Sequence, residues 1–148
     1  MPDLFAPHLQ GVLDGTLPPA RQPGNQNGKV RSIQARINLA TLDINTADNV
    51  LLGILPNGAV PLYGVMIASV TMGASATLAI GTNKVHASNG QYRAAAVFTT
   101  AETPAVFGLS AAMGVPVTAE TPVYLTNGVA DLPASGTLII ELFYASPN

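Results

Sequence analysis

The sequence predicts an all-β protein: a β-sandwich, jelly-roll-like or Ig-like, preceded by an extended N-terminal arm. From Lys29 onward, apolar residues come in strand-sized pieces separated by turns rich in glycine, proline and asparagine. Roughly seven to nine short strands with frequent turns are typical of a sandwich. The apolar fraction is 48% but the aromatic fraction is only 5%, with no Trp. Val, Leu, Ile and Ala must therefore build the core, which suits two sheets packed face to face.

The chain of 148 residues is expected to form one domain, residues 29–148, after an arm of residues 1–28. The arm holds five of the 12 prolines, which prevent a helix or a central strand from running through it. It is also rich in apolar residues, unlike a purely disordered tail. We therefore predict that the arm docks on a neighbouring chain, and the alternative is that it wraps on its own domain. The predicted partner-binding residues are Leu4, Phe5, Leu9, Leu13, Leu17, Arg21, Lys29 and Arg31.

Charge is scarce and unevenly distributed. Charged residues make up 9% of the chain, against about 25% in ordinary domains, and none lies between Asp48 and Lys84. Such a chain either presents Thr, Asn, Ser and Gln to water or buries its surfaces against neighbours, and we favour burial in an assembly. Four of the six basic residues lie at or before Arg36, so this end could meet an acidic partner. The alternative is a solvated strand edge protected by its cations.

The strands follow from alternation and from turn residues. Apolar side chains alternate with polar ones from Val30 to Leu39, which predicts a strand with one wet face. The last strand, Leu138 to Tyr144, is apolar on both faces, which suits a central or interface strand. The other predicted strands are residues 50–55, 60–72 with a bend at Gly64, 76–81, 91–99 and 123–126. Predicted turns lie at 56–58, 73–75, 127–128 and 136, with a polar loop at 83–90 and one helical turn at 109–113.

One short phrase occurs twice. TAETPAVF, from Thr100 to Phe107, recurs as TAETPVYL from Thr118 to Leu125, and TADNVLLG from Thr46 is a looser copy. Thr and an acid can cap backbone donors in a local turn, and the residue before proline is pushed to extended geometry. We interpret the phrase as a reused turn into an edge strand, at equivalent corners of the sandwich.

No residue pattern indicates catalysis. His8 and His86 form no metal-ligand pair, so both are predicted to be surface residues. Ser75 and Ser135 are turn serines outside any nucleophile motif. Asp43 and Asp48 share a turn but lack the other features of a calcium loop, so we interpret them as turn caps. Tyr92 and Arg93 are interpreted as a cross-strand packing pair rather than a nucleic-acid contact.

These observations predict a protein that is not an enzyme and has no cofactor or metal site. The net charge of −2 gives no general attraction to nucleic acid or to anionic lipid. The N-terminus lacks the features of a secretory signal, and no apolar run is long enough to span a bilayer. We therefore expect no nucleic-acid and no membrane partner, and a protein made and used in soluble form.

Three features together resemble small virion proteins of tailed bacteriophages, of the head decoration (capsid cement) type. They are the Ala/Thr/Gly/Val-rich strands of low charge, the segment GQYRAAAVFTTAETPAVFGL from Gly90 to Leu109, and the ending LPASGTLIIELFYA from Leu132 to Ala145. The resemblance implies a β-sandwich or jelly roll, often a homotrimer, that binds between major capsid protein subunits. It also implies a location on the capsid exterior after synthesis in the host cytoplasm, and no catalytic residues.

Two alternatives remain open at this point. The chain could be another virion component, such as a head fibre, a tail or a connector part. It could instead be a carbohydrate-binding or adhesive β-sandwich, although such a protein is expected to expose several aromatic residues on one face, and this chain has four Tyr, four Phe and no Trp.

Overall fold

The computed structural model describes residues 29–146, which form two antiparallel four-stranded sheets. Sheet I has the strand order β1-β8-β3-β6, and sheet II has the order β2-β7-β4-β5. A short 3₁₀ turn spans His86–Ser88. The strands are β1 (Lys29–Asn38), β2 (Asn49–Leu55), β3 (Val60–Ala68), β4 (Thr77–Gly81), β5 (Arg93–Ala96), β6 (Ala105–Phe107), β7 (Thr121–Gly128) and β8 (Thr137–Ser146).

The strand pairing is nested, which makes the sandwich a jelly roll. β1 pairs with β8, β2 with β7, β3 with β6 and β4 with β5, as if one long hairpin had been rolled up. Pairing of β8 with β3 and of β7 with β4 then completes the two sheets. An eight-stranded double sheet of this kind is a jelly roll, whereas an Ig-like sandwich divides its strands differently. The β-sandwich prediction is confirmed, and its Ig-like variant is wrong.

The core lies between the inner faces of the two sheets. Strand β8 illustrates how the core is formed. Its residues Leu138, Ile140 and Leu142 are fully buried between the sheets, while the residues between them are half-buried on the other face. Burial of one such side chain contributes roughly 1.5–3 kcal/mol. As predicted, β8 is a central strand. Other fully buried large side chains in the core are Leu39, Leu55, Met66, Met72, Leu78, Ile80, Val123 and Leu125.

Several strands end at different residues in the structure than the sequence predicts. Strand β3 ends at Ala68 rather than at Met72, and at Ser69 the Thr137 amide bonds to the side-chain hydroxyl instead of to a main-chain carbonyl. Strand β5 is limited to four residues by an irregularity in its pairing with β4. The predicted Pro56–Gly58 turn is confirmed, with Gly58 at a φ of 82° and the Ala59 amide bonded to the Pro56 carbonyl.

The turn predicted at Asn127 and Gly128 is wrong, because both residues lie inside β7. The Asn127 side chain is fully buried, and its Nδ2 donates to the carbonyl oxygens of Asn45 at 3.2 Å and Ala130 at 2.8 Å. The chain instead reverses after Gly128, where Val129 takes a φ of 73°. The Asn127 side chain therefore links the loops that contain Asn45 and Ala130 through hydrogen bonds, and it does not form a turn.

The repeated TAETP phrase forms the same local bond twice. The hydroxyl of Thr103 donates to the carbonyl of Ala101 at 3.3 Å, and that of Thr121 donates to Ala119 at 2.9 Å. The first copy leads into β6, an edge strand as predicted, but the second leads into β7, which is central in sheet II. The predicted helical turn is confirmed, since the Met113 amide donates to the Leu109 carbonyl at 2.9 Å.

Candidate interaction surface

The outer face of sheet I is apolar across three adjacent strands. Register fixes its members: Tyr63 on β3 lies beside Phe143 on β8, and Val65 on β3 lies beside Val106 on β6. Tyr63 is 45% exposed and Val106 is 73% exposed. We call this surface the sheet I face, and it consists of Tyr63, Val65, Ile67, Val106, Ile139 and Phe143.

An aromatic pair organises one end of the sheet I face. The rings of Tyr63 and Phe143 stack with centroids 4.9 Å apart and planes inclined by 25°. Offset stacking of this kind stabilises a pair of aromatic rings beyond the area that it buries. The stack restricts the orientation of each ring relative to the other, which gives this end of the face a defined shape.

A charged residue, Glu141, lies within the outer face of sheet I, in the outward row of β8 between Ile139 and Phe143. Glu141 is half-buried on β8 between Gln34 of β1 and Val65 of β3, and Arg36 of β1 is paired in register with Ile139. An antiparallel sheet that faces water normally alternates apolar and polar residues. All three outward residues of β3 are apolar, so the sheet I face has the composition of a surface that is covered in an assembly.

The outer face of sheet II, in contrast, is partly covered by the chain itself. The loop between β4 and β5 lies over it, where Gly81 and Gly128 leave room for the side chains of the loop. His86 is the central contact: its Nδ1 lies 3.0 Å from the Thr126 hydroxyl, and its Nε2 lies 3.1 Å from the Thr77 hydroxyl. His86, which was predicted to be a surface residue, is half-buried on this outer face and bonds to both central strands of sheet II, whereas His8 lies outside the described residues.

Asn89 holds the same loop from its other end. Its Nδ2 donates to the carbonyl of Tyr124 at 3.2 Å and to the Thr126 hydroxyl at 3.1 Å. Its Oδ1 accepts from the amide of Asn83 at 3.2 Å. The sequence predicted a polar loop at residues 83–90. Its polar side chains form hydrogen bonds with main-chain groups of the loop and of β7.

A groove of about 570 Å³ separates the free edges of β5 and β6. Tyr92 and Arg93 line it, and both are packed as structural residues. The Arg93 guanidinium donates to the carbonyl oxygens of Leu78, Ala96 and Val97. Burial raises the pKa of the Tyr92 phenol and lowers the pKa of the Arg93 guanidinium. Arg93 therefore bonds across to β4, as the interpretation of a cross-strand pair requires.

Two of the acidic residues, Asp48 and Asp131, cap turns, whereas no capping bond of the Asp43 carboxylate is seen. Asp48 Oδ2 accepts from the Asn45 amide at 2.8 Å, and Asp131 Oδ1 accepts from the amide and the hydroxyl of Thr46 at 2.6 and 2.8 Å. These bonds, the one from the amide first, lower the pKa of Asp131. Within residues 29–146, no three His, Asp or Glu side chains lie close enough together to hold a metal ion. No helix in this part of the chain could cross a bilayer.

Two of the predicted partner-binding residues, Lys29 and Arg31, lie at the exposed start of β1. The other six, Leu4, Phe5, Leu9, Leu13, Leu17 and Arg21, lie outside the described residues. Prediction from the sequence missed the sheet I face. The sequence contains two patterns that indicate this face: apolar residues occupy both faces of β8, and Val65 and Ile67 continue the outward row of β3.

Three solved structures have a similar fold. The chain is similar to a chain of the cyanophage Pam1 capsid asymmetric unit, with 23% identity and a TM-score of 0.63 over 80% of this chain and 85% of that one. It is similar to a chain of the Ralstonia phage GP4 capsid, with 21% identity and a TM-score of 0.62 over 80% and 85%. It is also similar to a chain of the Helicobacter pylori bacteriophage KHP30 capsid, with 12% identity and a TM-score of 0.58 over 80% of this chain and 89% of that one.

What these three chains share with this protein is the fold. No protein family and no curated protein matches the sequence. The matched region is about as long as the part that the structure describes, so the likeness extends over the sandwich as a whole.

Proposed function

We propose that this protein is a structural component of a bacteriophage capsid, which decorates the shell and stabilises it by binding between major capsid protein subunits. The observation that carries the proposal is the similarity of its jelly roll to chains of three phage capsid structures, each over 80% of this chain. The proposal places the protein on the exterior of the virion.

The sheet I face supplies the physical means of binding. No residue in the described range 29–146 covers Tyr63 or Val106, and burial of apolar area contributes roughly 25 cal/mol per Å². A capsid repeats each contact by symmetry, so a modest gain at one site is multiplied over the shell. Glu141 lies within this face, so a partner that covers it would have to supply a cation or a hydrogen-bond donor for the carboxylate.

We further propose that the protein is a homotrimer and that its arm, residues 1–28, binds a neighbouring subunit. A closed ring of three copies would cover sheet edges that otherwise invite aggregation. Lys29 pairs with Ser146, so the arm joins the domain at the corner of sheet I where β8 ends. From that corner, 28 residues could extend at most about 90 Å, which suffices to reach an adjacent subunit.

Two other functions would use the same surface. A fibre, tail or connector component would bury the sheet I face against a different virion protein. A carbohydrate-binding protein would use the exposed Tyr63 ring, stacked on Phe143, as a platform for a sugar. A glycan array separates the second of these from a shell-binding role.

The test is co-sedimentation of the purified protein with empty shells assembled from the major capsid protein of the phage that encodes this chain. Tyr63→Ser combined with Val106→Thr should weaken binding by at least about tenfold, because central apolar contacts dominate interfaces. The matched control is Leu51→Ser with Ile54→Thr, which removes residues that are 52% and 55% exposed on the other sheet. Deletion of residues 1–28 should also weaken binding.

Absence of co-sedimentation by the wild-type chain would contradict the proposed function. Equal losses in the sheet I variant and in the sheet II control would contradict the role of the sheet I face. Unchanged binding after the deletion would contradict the role of the arm.

A further inference from the structure

The free edge of β1 differs from the other three edges of the sandwich. Strand β6 has three residues, β5 has four with an irregular register, and β2 has seven with a bulge between Leu51 and Gly53. Short or bulged edges of this kind discourage pairing with another chain. Strand β1 instead runs for ten residues, with an unbroken register against β8 and no proline or glycine.

This long edge is open within the described part of the protein. Between Lys29 and Ile37, no main-chain group of β1 bonds to a described residue other than those of β8. In an antiparallel pair, alternate residues direct their N–H and C=O groups away from the partner strand. Ten residues span roughly 34 Å, so β1 offers a row of main-chain donors and acceptors long enough for a whole added strand.

The side chains of β1 select the kind of strand that could be added. Lys29, Arg31 and Arg36 are exposed, and β1 contains no acidic residue. Lys29 and Arg31 share one face of β1 and Arg36 lies on the opposite face, so two paired β1 strands would bring cations of both copies together on both faces with no anion from β1. Like charges across a strand pair are destabilising. The same cations favour a strand that carries carboxylates.

We propose that β1 accepts an extended acidic strand from the shell protein, so that sheet I gains a fifth strand when the protein binds. This inference rests on the proposed function, because the shell protein supplies the strand. Main-chain hydrogen bonds would give the contact its register, and the three cations would give it its preference for Asp or Glu side chains. The added strand would be separated from the sheet I face by β1 alone, so it would extend the interface beyond the edge of the sheet.

Hydrogen exchange measured on the free and the shell-bound full-length protein tests the proposal. In the free protein, about half of the β1 amides, those directed away from β8, should exchange fast. In the bound protein those amides should become protected along β1. The amides of β7 serve as the internal reference, because β7 is bonded to β2 and β4 on its two sides and belongs to the sheet that is proposed to face water.

Charge reversal provides a second readout. Arg31→Glu and Arg36→Glu should each weaken shell binding, by about tenfold when combined, with the loss largest at low salt. Lys84→Glu is the matched control, because it makes the same charge change on the outer side of sheet II, where Lys84 lies over the Tyr124 ring. Its effect on binding should be small.

The outcomes separate the inference from the proposed function. A protein that does not bind shells contradicts both. A protein that binds shells while its β1 amides exchange as in the free state overturns the added strand alone. If the β1 amides are already protected in the free protein and lose that protection when residues 1–28 are deleted, the arm of this chain occupies the edge, and an acidic strand from the shell protein is excluded.

Discussion

At the scale of single residues, Arg93 holds together an irregular part of sheet II. The pairing of β4 with β5 shifts between Leu78 and Ile80, and the Arg93 guanidinium donates to the Leu78 carbonyl beside this shift. It also donates to the carbonyls of Ala96 and Val97, at 3.2 and 3.3 Å. One side chain therefore supplies the donors that a regular ladder would have supplied.

Arg93→Met should destabilise the protein, by about 1 kcal/mol in urea unfolding, because the part-buried Leu78 carbonyl and the exposed Ala96 and Val97 carbonyls lose their charged donor. Arg93→Lys should recover only part of the loss, since an ammonium group cannot match the planar fork of a guanidinium. Arg36→Met is the control and should change stability by less than about 0.5 kcal/mol, as is usual for exposed residues. Equal effects of Arg93→Met and Arg36→Met would show that the three carbonyl bonds contribute nothing.

Asp131 should make the free energy of unfolding depend on pH in the acidic range. Its pKa is lowered in the folded protein by the bonds from Thr46, so its contribution is complete above the pKa of an unfolded aspartate, about 4. The contribution is lost as the pH falls through the lower pKa of the folded state. Asp131→Asn should lower the Tm at pH 7 and flatten the decline of Tm between about pH 5 and pH 2.

The control for this experiment is Asp43→Asn, which neutralises an exposed carboxylate in the same region of the chain. If Asp43→Asn flattens the acid decline as much as Asp131→Asn, the effect belongs to net charge and not to the Thr46 bonds.

At the scale of elements, β3 and β6 are joined through a close approach of a ring to a glycine. Gly64 faces the core, and a Cβ added there would overlap the Phe107 ring on β6. Strand β6 has only three residues, so its position depends on this contact as well as on its ladder. The sequence suggested a bend at Gly64, but the structure shows a packing role.

Gly64→Ala should therefore destabilise the protein by about 1–3 kcal/mol, the usual cost of overpacking a core. Phe107→Leu removes the ring atoms that the new methyl group would meet, at the cost of a small cavity. Combining the two substitutions should cost less than the sum of the single effects, measured by chemical unfolding. Additive losses would mean that ring and glycine do not compete for the same space.

The elements also show how far local patterns could be used for prediction. Alternation located β1 and β8, and Pro56–Gly58 located a turn, because these depend on residues close in sequence. Asn127 was misassigned because its partners, Asn45 and Ala130, include a residue 82 positions away. The nested strand order depends on contacts of this long-range kind, so a sandwich could be predicted from the sequence while its order could not.

The same limit applied to the candidate surface. The sheet I face is assembled from three strands that are distant in the chain, and register alone brings Tyr63 beside Phe143. The sequence did indicate the underlying property, since a long stretch without charge suggested surfaces hidden in an assembly. The prediction assigned partner binding mainly to the arm, since six of the eight predicted partner-binding residues lie within residues 1–28.

At the scale of the whole molecule, the two sheets have different outer faces. Sheet II carries its own covering loop, fixed by His86 and Asn89, whereas sheet I presents Tyr63, Val65 and Val106 without a cover from any described residue. A two-sided domain of this kind fits a place on a surface, with one side bound and the other facing water. This asymmetry is the structural basis of the proposed role in a capsid.

The proposed trimer makes a direct prediction for the isolated protein. Light scattering should give a mass close to three times 15.1 kDa, stable on dilution because a closed ring leaves no free interface. A mass of 15.1 kDa at every concentration would contradict the trimer and would favour a protein that binds the shell as single copies.

The most direct test of the central claim is a cryo-EM reconstruction of virions made from the genome that encodes this chain, which the proposed function takes to be a phage genome. The account predicts density for the jelly roll on the outside of the shell, with Tyr63, Val65 and Val106 buried against a neighbouring subunit. A shell that lacks this domain, or one in which the sheet I face points to solvent, would contradict the account.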